Sequence, residues 1–127
     1  MNTIEAGLVG TATVKVSAAN TAKTMKSGAL EVFATPAMCA LMEEAACAAL
    51  KGKLDPQEGT VGTKLTITHD APSAVGAEIV AKAEVISVDN RRISYKVIAY
   101  DGDKVIGQGD HERFIINNEK FMAKLGK

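Results

Sequence analysis

The apolar positions divide the chain into a helical part and a longer part with strand periodicity. From Thr60 onward, apolar residues tend to recur at every second position, as in strands with one buried face. Turn signals at Asp89-Asn90 and Asp101-Gly102 separate the later strands and make them antiparallel. We therefore predict a four-stranded meander, which begins with the stretch from Thr60 that includes His69 and continues with strands over 75–88, 92–100 and 104–116.

One long helix is predicted ahead of this meander, from Pro36 to about Leu50. Residues 34–52 read ATPAMCALMEEAACAALKG, in which Thr35 suits the N-cap and Pro36 the first helical position. The segment is apolar on all sides except for two adjacent glutamates near its middle. Since a helix without a polar face is normally buried, this helix must be covered on nearly all sides.

Shorter elements complete the predicted fold. Residues 8–16 form a strand, 17–28 a loop with one short helical turn, 30–33 a short strand, and 117–125 a terminal helix. An antiparallel sheet curled around the long helix, with a second copy of the chain completing the cover, would bury it. This α+β arrangement is called a hotdog fold and is normally dimeric. We predict one such domain over residues 1–127, forming a homodimer.

Composition and charge argue against several classes of protein. Fifteen basic and fifteen acidic residues give a formal net charge of zero, whereas nucleic-acid-binding proteins usually have a basic surface. No stretch approaches the roughly 18 apolar residues of a membrane span. The first residues lack the basic and then apolar pattern of a signal peptide, so we expect a cytoplasmic protein without membrane or nucleic-acid partners.

The two cysteines indicate free thiols. Cys39 and Cys47 lie eight residues apart on the predicted helix, about 12 Å along its axis. A disulfide needs Cα atoms within roughly 7 Å, so free thiols in a reducing cytoplasm are expected. No CxxC motif, phosphate-binding loop or GxGxxG motif occurs, and we predict neither a metal nor a cofactor.

The two helix acids are the first candidates for chemistry. Glu43 and Glu44 point about 100° apart, so they cannot share one environment. A buried carboxylate needs a partner or a pocket. Either both acids lie at a dimer seam with one of them paired to a cation, or one lines a cleft and acts as general base or nucleophile. The pattern alone does not select between the two glutamates.

Two further residues have both an ordinary and a functional interpretation, and two more have only an ordinary one. Thr35 caps the helix, and the free N–H groups of a helix N-terminus also suit a developing oxyanion. His69 shares the phase of Leu65, so it faces the core, either as a structural histidine or as a partner of the helix acids. His111 has charged neighbours and is interpreted as a surface residue, and Arg113 as a solvated charge.

Three segments, ATPAMCALMEEAA, GTVGTKLTITHDAP and GQGDHERFII, together resemble the fluoroacetyl-CoA thioesterase-like branch of the hotdog superfamily, and the resemblance covers nearly the whole chain. That family has a threonine, a glutamate and a histidine at the spacing of Thr35, Glu43 and His69. The resemblance therefore implies that these three residues form the catalytic constellation. It also implies that Gly62 lies near the bound thioester and that Arg113 contacts the ligand.

The function that this resemblance implies is hydrolysis of a short-chain acyl-CoA. In the family's defining member, a lid with aromatic residues discriminates fluoroacetyl groups, whereas the corresponding residues 17–28 contain no aromatic side chain. The acyl group is therefore left open. The alternative is a non-catalytic acyl-CoA-binding module. A hotdog hydratase ranks last, because no Asp and His about five residues apart lie on a suitable helix.

Overall fold

The computed structural model describes residues 3–126 and confirms an antiparallel sheet packed against one long helix. A short 3-10 turn at Ala18–Asn20 precedes the first helix. The strands are β1 (Val9–Lys15), β2 (Glu58–His69), β3 (Glu78–Asp89), β4 (Arg92–Asp101) and β5 (Lys104–Asn117), and the helices are α1 (Ala22–Met25), α2 (Thr35–Ala49) and α3 (Asn118–Ala123).

The order of the strands in the sheet is β1-β3-β4-β5-β2. Only β3, β4 and β5 form a meander, because tight turns with positive φ at Asn90 (59°) and Gly102 (62°) join them. The predicted four-stranded meander is wrong for β2. No tight turn joins β2 to β3. β2 pairs with β5 at one edge of the sheet, and residues 70–77 carry the chain from that edge to β3, on the other side of β4 and β5.

Two other predicted strands also need correction. Residues 30–33 form no strand, since they contribute only single bridges. These bridges pair Phe33 with Thr21 and Val32 with Ala74. The strand predicted over 75–88 begins only at Glu78. The helical turn expected within 17–28 is present as the 3-10 turn and α1.

The start of α2 differs from the prediction by one residue. Ala34 occupies the N-cap position without a side-chain cap, and Thr35 is already helical. The prediction that Thr35 caps the helix is therefore wrong. Its hydroxyl instead bonds a residue of β2, described below.

One chain buries only part of α2. The face made of Met38, Met42, Ala45, Ala46 and Ala49 lies in the core against the sheet. The opposite face remains exposed in the single chain. Its exposed residues are Ala40, Glu44, Cys47 and Ala48. One copy of the chain therefore does not bury α2 on all sides as predicted. Within residues 3–126, no helix has both the length and the apolar character needed to cross a membrane.

Candidate active site

The first part of the candidate site joins the start of α2 to the end of β2. Thr35 Oγ1 lies 2.7 Å from His69 Nδ1, a hydrogen bond between residues 34 positions apart. The pair opens on a cavity of about 240 Å³. Ala22 and Ser27, from α1 and the residues after it, also line this cavity. The structure thus brings together two of the three residues in the predicted constellation.

His69 has one ring nitrogen without a partner. Its Nε2 atom is buried and has no hydrogen bond within residues 3–126. Buried polar side-chain atoms are normally hydrogen-bonded. Nε2 of His69 is therefore available to bond a group from outside residues 3–126.

The second part of the candidate site surrounds Glu43. The Glu43 side chain is 44% exposed, and its Oε2 atom lies 3.7 Å from Nη1 of Arg113, whose side chain is only 9% exposed. A Cβ atom added to Gly62 would lie 2.8 Å from Glu43 Oε2 and 3.2 Å from Arg113 Nη1. A side chain at this position would therefore displace the Glu43 carboxylate, whereas glycine leaves room for it beside Arg113.

Arg113 is buried, so its interpretation as a solvated charge is wrong. Its Nε atom donates to Thr60 Oγ1 at 2.8 Å, and Nη2 donates to the Thr60 carbonyl at 3.1 Å. Its Nη1 atom lies 3.2 Å from His111 Nε2. The guanidinium is thus held by protein groups on several sides.

His111 is also buried, at 1% exposure, which overturns its prediction as a surface residue. Its Nδ1 atom lies 2.7 Å from the Lys64 carbonyl oxygen, and its ring stacks on Tyr95 with centroids 5.7 Å apart. Strand alternation could have found it. His111 and Arg113 share the phase of the buried Ile115, while their charged neighbours occupy the other phase.

The structure thus places the five predicted residues in two groups. The Thr35–His69 pair is one group, and the Glu43 cluster, made of Glu43, Gly62, His111 and Arg113, is the other. Thr35 and Glu43 are eight residues apart on α2, which separates them by about 12 Å along its axis. Within residues 3–126, no hydrogen bond or ion pair joins the two groups.

Other chemistry finds little support nearby. Cys39 lies one helical turn before Glu43, and burial, together with the Glu43 charge, raises the pKa of its thiol. Nucleophilic thiols need the opposite shift. Within residues 3–126, no group of three or more metal-ligating side chains lies close enough to hold an ion.

Comparisons with known proteins show the family to which this chain belongs. The family model of fluoroacetyl-CoA-specific thioesterases matches residues 16–119. The fluoroacetyl-CoA thioesterase of Streptantibioticus cattleyicolor is 46% identical over 95 residues, which cover 75% of this chain and 68% of that protein. A solved structure of the fluoroacetyl-CoA thioesterase FlK matches with a TM-score of 0.91 at 37% identity and covers 98% of this chain and 96% of that one.

Two further structures extend the comparison. A phenylalanine-to-alanine variant of FlK in complex with fluoroacetate and CoA has a TM-score of 0.87 at 38% identity, covering 93% of this chain and 99% of that one. A Thermus thermophilus member of the thioesterase superfamily has a TM-score of 0.89 at 24% identity, covering 98% of this chain and 93% of that one, and supports the fold alone.

These matches and the curled sheet define a hotdog-fold protein of the thioester hydrolase class. Within that class, the chain belongs to the family of fluoroacetyl-CoA-specific thioesterases.

Proposed function

We propose that the protein hydrolyses a short-chain acyl-CoA to the free acid and CoA, with Thr35, Glu43 and His69 at the reacting thioester. The observation that carries this proposal is the 2.7 Å hydrogen bond between Thr35 and His69 at the N-terminus of α2. Both side chains border the cavity described above, which has room for a small acyl group.

The start of α2 would polarise the thioester carbonyl. Backbone N–H groups in the first turn of a helix have no partner within the helix and carry partial positive charge. Together with the Thr35 hydroxyl, they would stabilise the negative charge that develops on the carbonyl oxygen. His69 would transfer a proton to the departing thiolate, which needs only modest assistance because a thiolate is a good leaving group.

Glu43 would act in one of two ways, as a general base or as a nucleophile. As a general base, it would take a proton from the water that attacks the carbonyl carbon. As a nucleophile, it would form an anhydride and expel the thiolate, after which water would hydrolyse the anhydride and regenerate the carboxylate. Each role releases one acid and one CoA.

Release of CoA from a panel of acyl-CoAs, detected with a thiol reagent, tests the proposed activity. We expect turnover of acetyl-CoA and propionyl-CoA with kcat/KM values within about tenfold of the fluoroacetyl-CoA value. Around the cavity, the segment 17–28 contributes only small side chains, which give no special contact to fluorine. Tight binding of all three thioesters without release would instead favour the non-catalytic acyl-CoA-binding module.

We also propose that two copies of the chain complete each site as a homodimer. Within one chain, the Thr35–His69 pair and Glu43 form separate groups about 12 Å apart along the axis of α2, and a second copy would bring the two kinds of group together. Among the described residues 3–126, the twelve-residue strand β2 pairs on one side only, with β5, so its free edge is suited to a partner. The exposed, mostly small face of α2 would be covered by the same contact.

A mixing experiment tests whether the site is shared. Thr35→Ala and Glu43→Gln variants should each be inactive alone. In a mixed dimer, a shared site combines the intact Thr35 of one chain with the intact Glu43 of the other. After random subunit exchange, we expect about a quarter of wild-type activity, because half of the dimers are mixed and each carries one intact site.

Sites contained within one chain would recover no activity on mixing. A matched mixture of Thr35→Ala with His69→Ala serves as the control. Because both changes fall in the same half of the site, this mixture should stay inactive even if the dimer shares its sites.

The free thiols of Cys39 and Cys47 favour a reducing compartment, and we propose the cytoplasm as the location of this protein.

A further inference from the structure

We propose that His111 is a positioning residue for the hydrolysis. As a neutral imidazole with its proton on Nδ1, it holds the Arg113 guanidinium in place against Glu43. The inference rests on the proposed function, because it concerns the side chain that would act on the thioester. Neither the sequence pattern nor the family resemblance assigns a role to His111.

The hydrogen-bond partners of His111 determine its tautomer. The Lys64 carbonyl oxygen can only accept, so Nδ1, 2.7 Å away, must carry a proton and donate it. Arg113 Nη1 can only donate, so His111 Nε2, 3.2 Å away, must accept with its lone pair. With one ring nitrogen donating and the other accepting, the imidazole is neutral.

The chain of contacts continues from Arg113 to Glu43. Thr60 accepts two hydrogen bonds, from Nε and Nη2, and fixes one side of the guanidinium. The remaining nitrogen, Nη1, lies between His111 Nε2 and Glu43 Oε2. The Glu43 side chain is nearly half exposed, and its contact with Arg113 Nη1 restricts the direction of its carboxylate. Without an acceptor at His111, Nη1 would keep only the Glu43 carboxylate as a partner, and one of its buried N–H groups would be left without an acceptor.

The surroundings of His111 keep it in the neutral form. Burial lowers the pKa of His111, and the positive charge of Arg113 lowers it further. The hydrogen bond to the Lys64 carbonyl and the charges of Glu43 and Glu112 act in the opposite direction. Tyr95, from β4, contributes a stacked ring. Protonation of Nε2 would place a donor opposite the Arg113 donor and break the contact.

Two substitutions separate this role from simple packing. His111→Gln places a carbonyl oxygen near the position of Nε2 and keeps an acceptor for Arg113. His111→Phe keeps an aromatic ring beside Tyr95 but offers no acceptor. We expect the phenylalanine variant to lose roughly tenfold or more in kcat, with KM changed by less than about threefold. The glutamine variant should keep kcat within about threefold of wild type.

Asp110→Asn, on the exposed face of the same strand, is the matched control and should leave both constants unchanged.

The pH profile provides a second readout. A histidine with a lowered pKa stays neutral below its ordinary value of about 6.5. Wild-type kcat should therefore stay constant down to a pH below about 6.5 and then fall as the ring becomes protonated. The glutamine variant should keep its kcat to a lower pH than the wild type, because glutamine does not titrate. Since the unfolded chain binds this proton more readily than the folded one, wild-type stability should also decline as the pH falls below about 6.5.

Nitrogen-15 NMR of the His111 ring tests the tautomer independently of activity. A protonated Nδ1 and an unprotonated Nε2 at neutral pH support the proposal, and the reverse tautomer or a doubly protonated ring overturns it. Equal kcat values for the phenylalanine and glutamine variants would also overturn it. If the phenylalanine variant does not fold, the pH profile of the glutamine variant and the NMR experiment decide. If the wild-type protein hydrolyses no acyl-CoA, the proposed function fails, whereas the NMR result still tests the arrangement of His111.

Discussion

Replacing Glu43 with glutamine should lower kcat for acyl-CoA hydrolysis about a thousandfold. Glutamine has nearly the same shape but can neither take a proton from water nor attack a carbonyl carbon. The fold should survive, because Arg113 keeps its hydrogen bonds to Thr60 and His111 and the lost ion pair is partly exposed. We expect the free energy of unfolding to change by no more than about 1 kcal/mol.

The adjacent acid supplies a matched control for this experiment. Glu44 lies one position further along α2, on the face that is exposed in the single chain, and outside the Glu43 cluster. Glu44→Gln should therefore keep kcat within about twofold of wild type. Thiol-reagent assays and thermal unfolding of both variants measure the two effects. A Glu43→Gln variant with wild-type kcat would remove Glu43 from the mechanism.

Replacing Gly10 with alanine should lower the free energy of unfolding by about 3 kcal/mol. Gly10 is buried in β1, where the strand crosses α2 in direct contact with its backbone. An added Cβ would overlap the Ala45 carbonyl oxygen and the Ala49 amide nitrogen, and would lie 2.8 Å from the Ala48 carbonyl carbon. Because these are backbone atoms, no side-chain rotation can relieve the overlap, and the helix must move away from the sheet.

Gly28→Ala is the control for the loss of a glycine elsewhere in the chain. A Cβ at Gly28 would meet only the Ala22 Cβ, at 3.4 Å, which is an ordinary contact. We expect the free energy of unfolding of this variant, measured in urea, to lie within about 0.5 kcal/mol of the wild-type value. Equal stabilities of the two variants would show that α2 and β1 do not approach as closely as described here.

Local sequence signals account for most of the secondary structure. The apolar run that contains Met38 and Met42 predicts α2, and the period-two pattern predicts β3 to β5. Tight turns such as the one at Gly102 also determine which of these strands are neighbours. The position of β2 beside β5 could not be found in this way, because pairing between strands distant in sequence leaves no local signal.

The candidate site shows the same division. The spacing of Thr35, Glu43 and His69 is a property of the sequence, and so is the choice of Glu43 through the family resemblance. No local signal identifies Thr60 as a partner of Arg113, because the two residues are 53 positions apart and meet only through strand pairing. The charged neighbours of His111 favour a surface position, although the alternation of β5 turns those neighbours to the opposite face.

The sequence by itself determined the long apolar helix, the antiparallel strands after it and the residue types that could perform thioester chemistry, because these depend on periodicity and spacing along the chain. Only the tertiary structure decided that Thr35 bonds His69 instead of capping α2, and that Glu43 faces Arg113 and His111. Those contacts depend on which backbone segments approach each other. Buried polar groups such as the Arg113 guanidinium then find partners that local sequence does not specify.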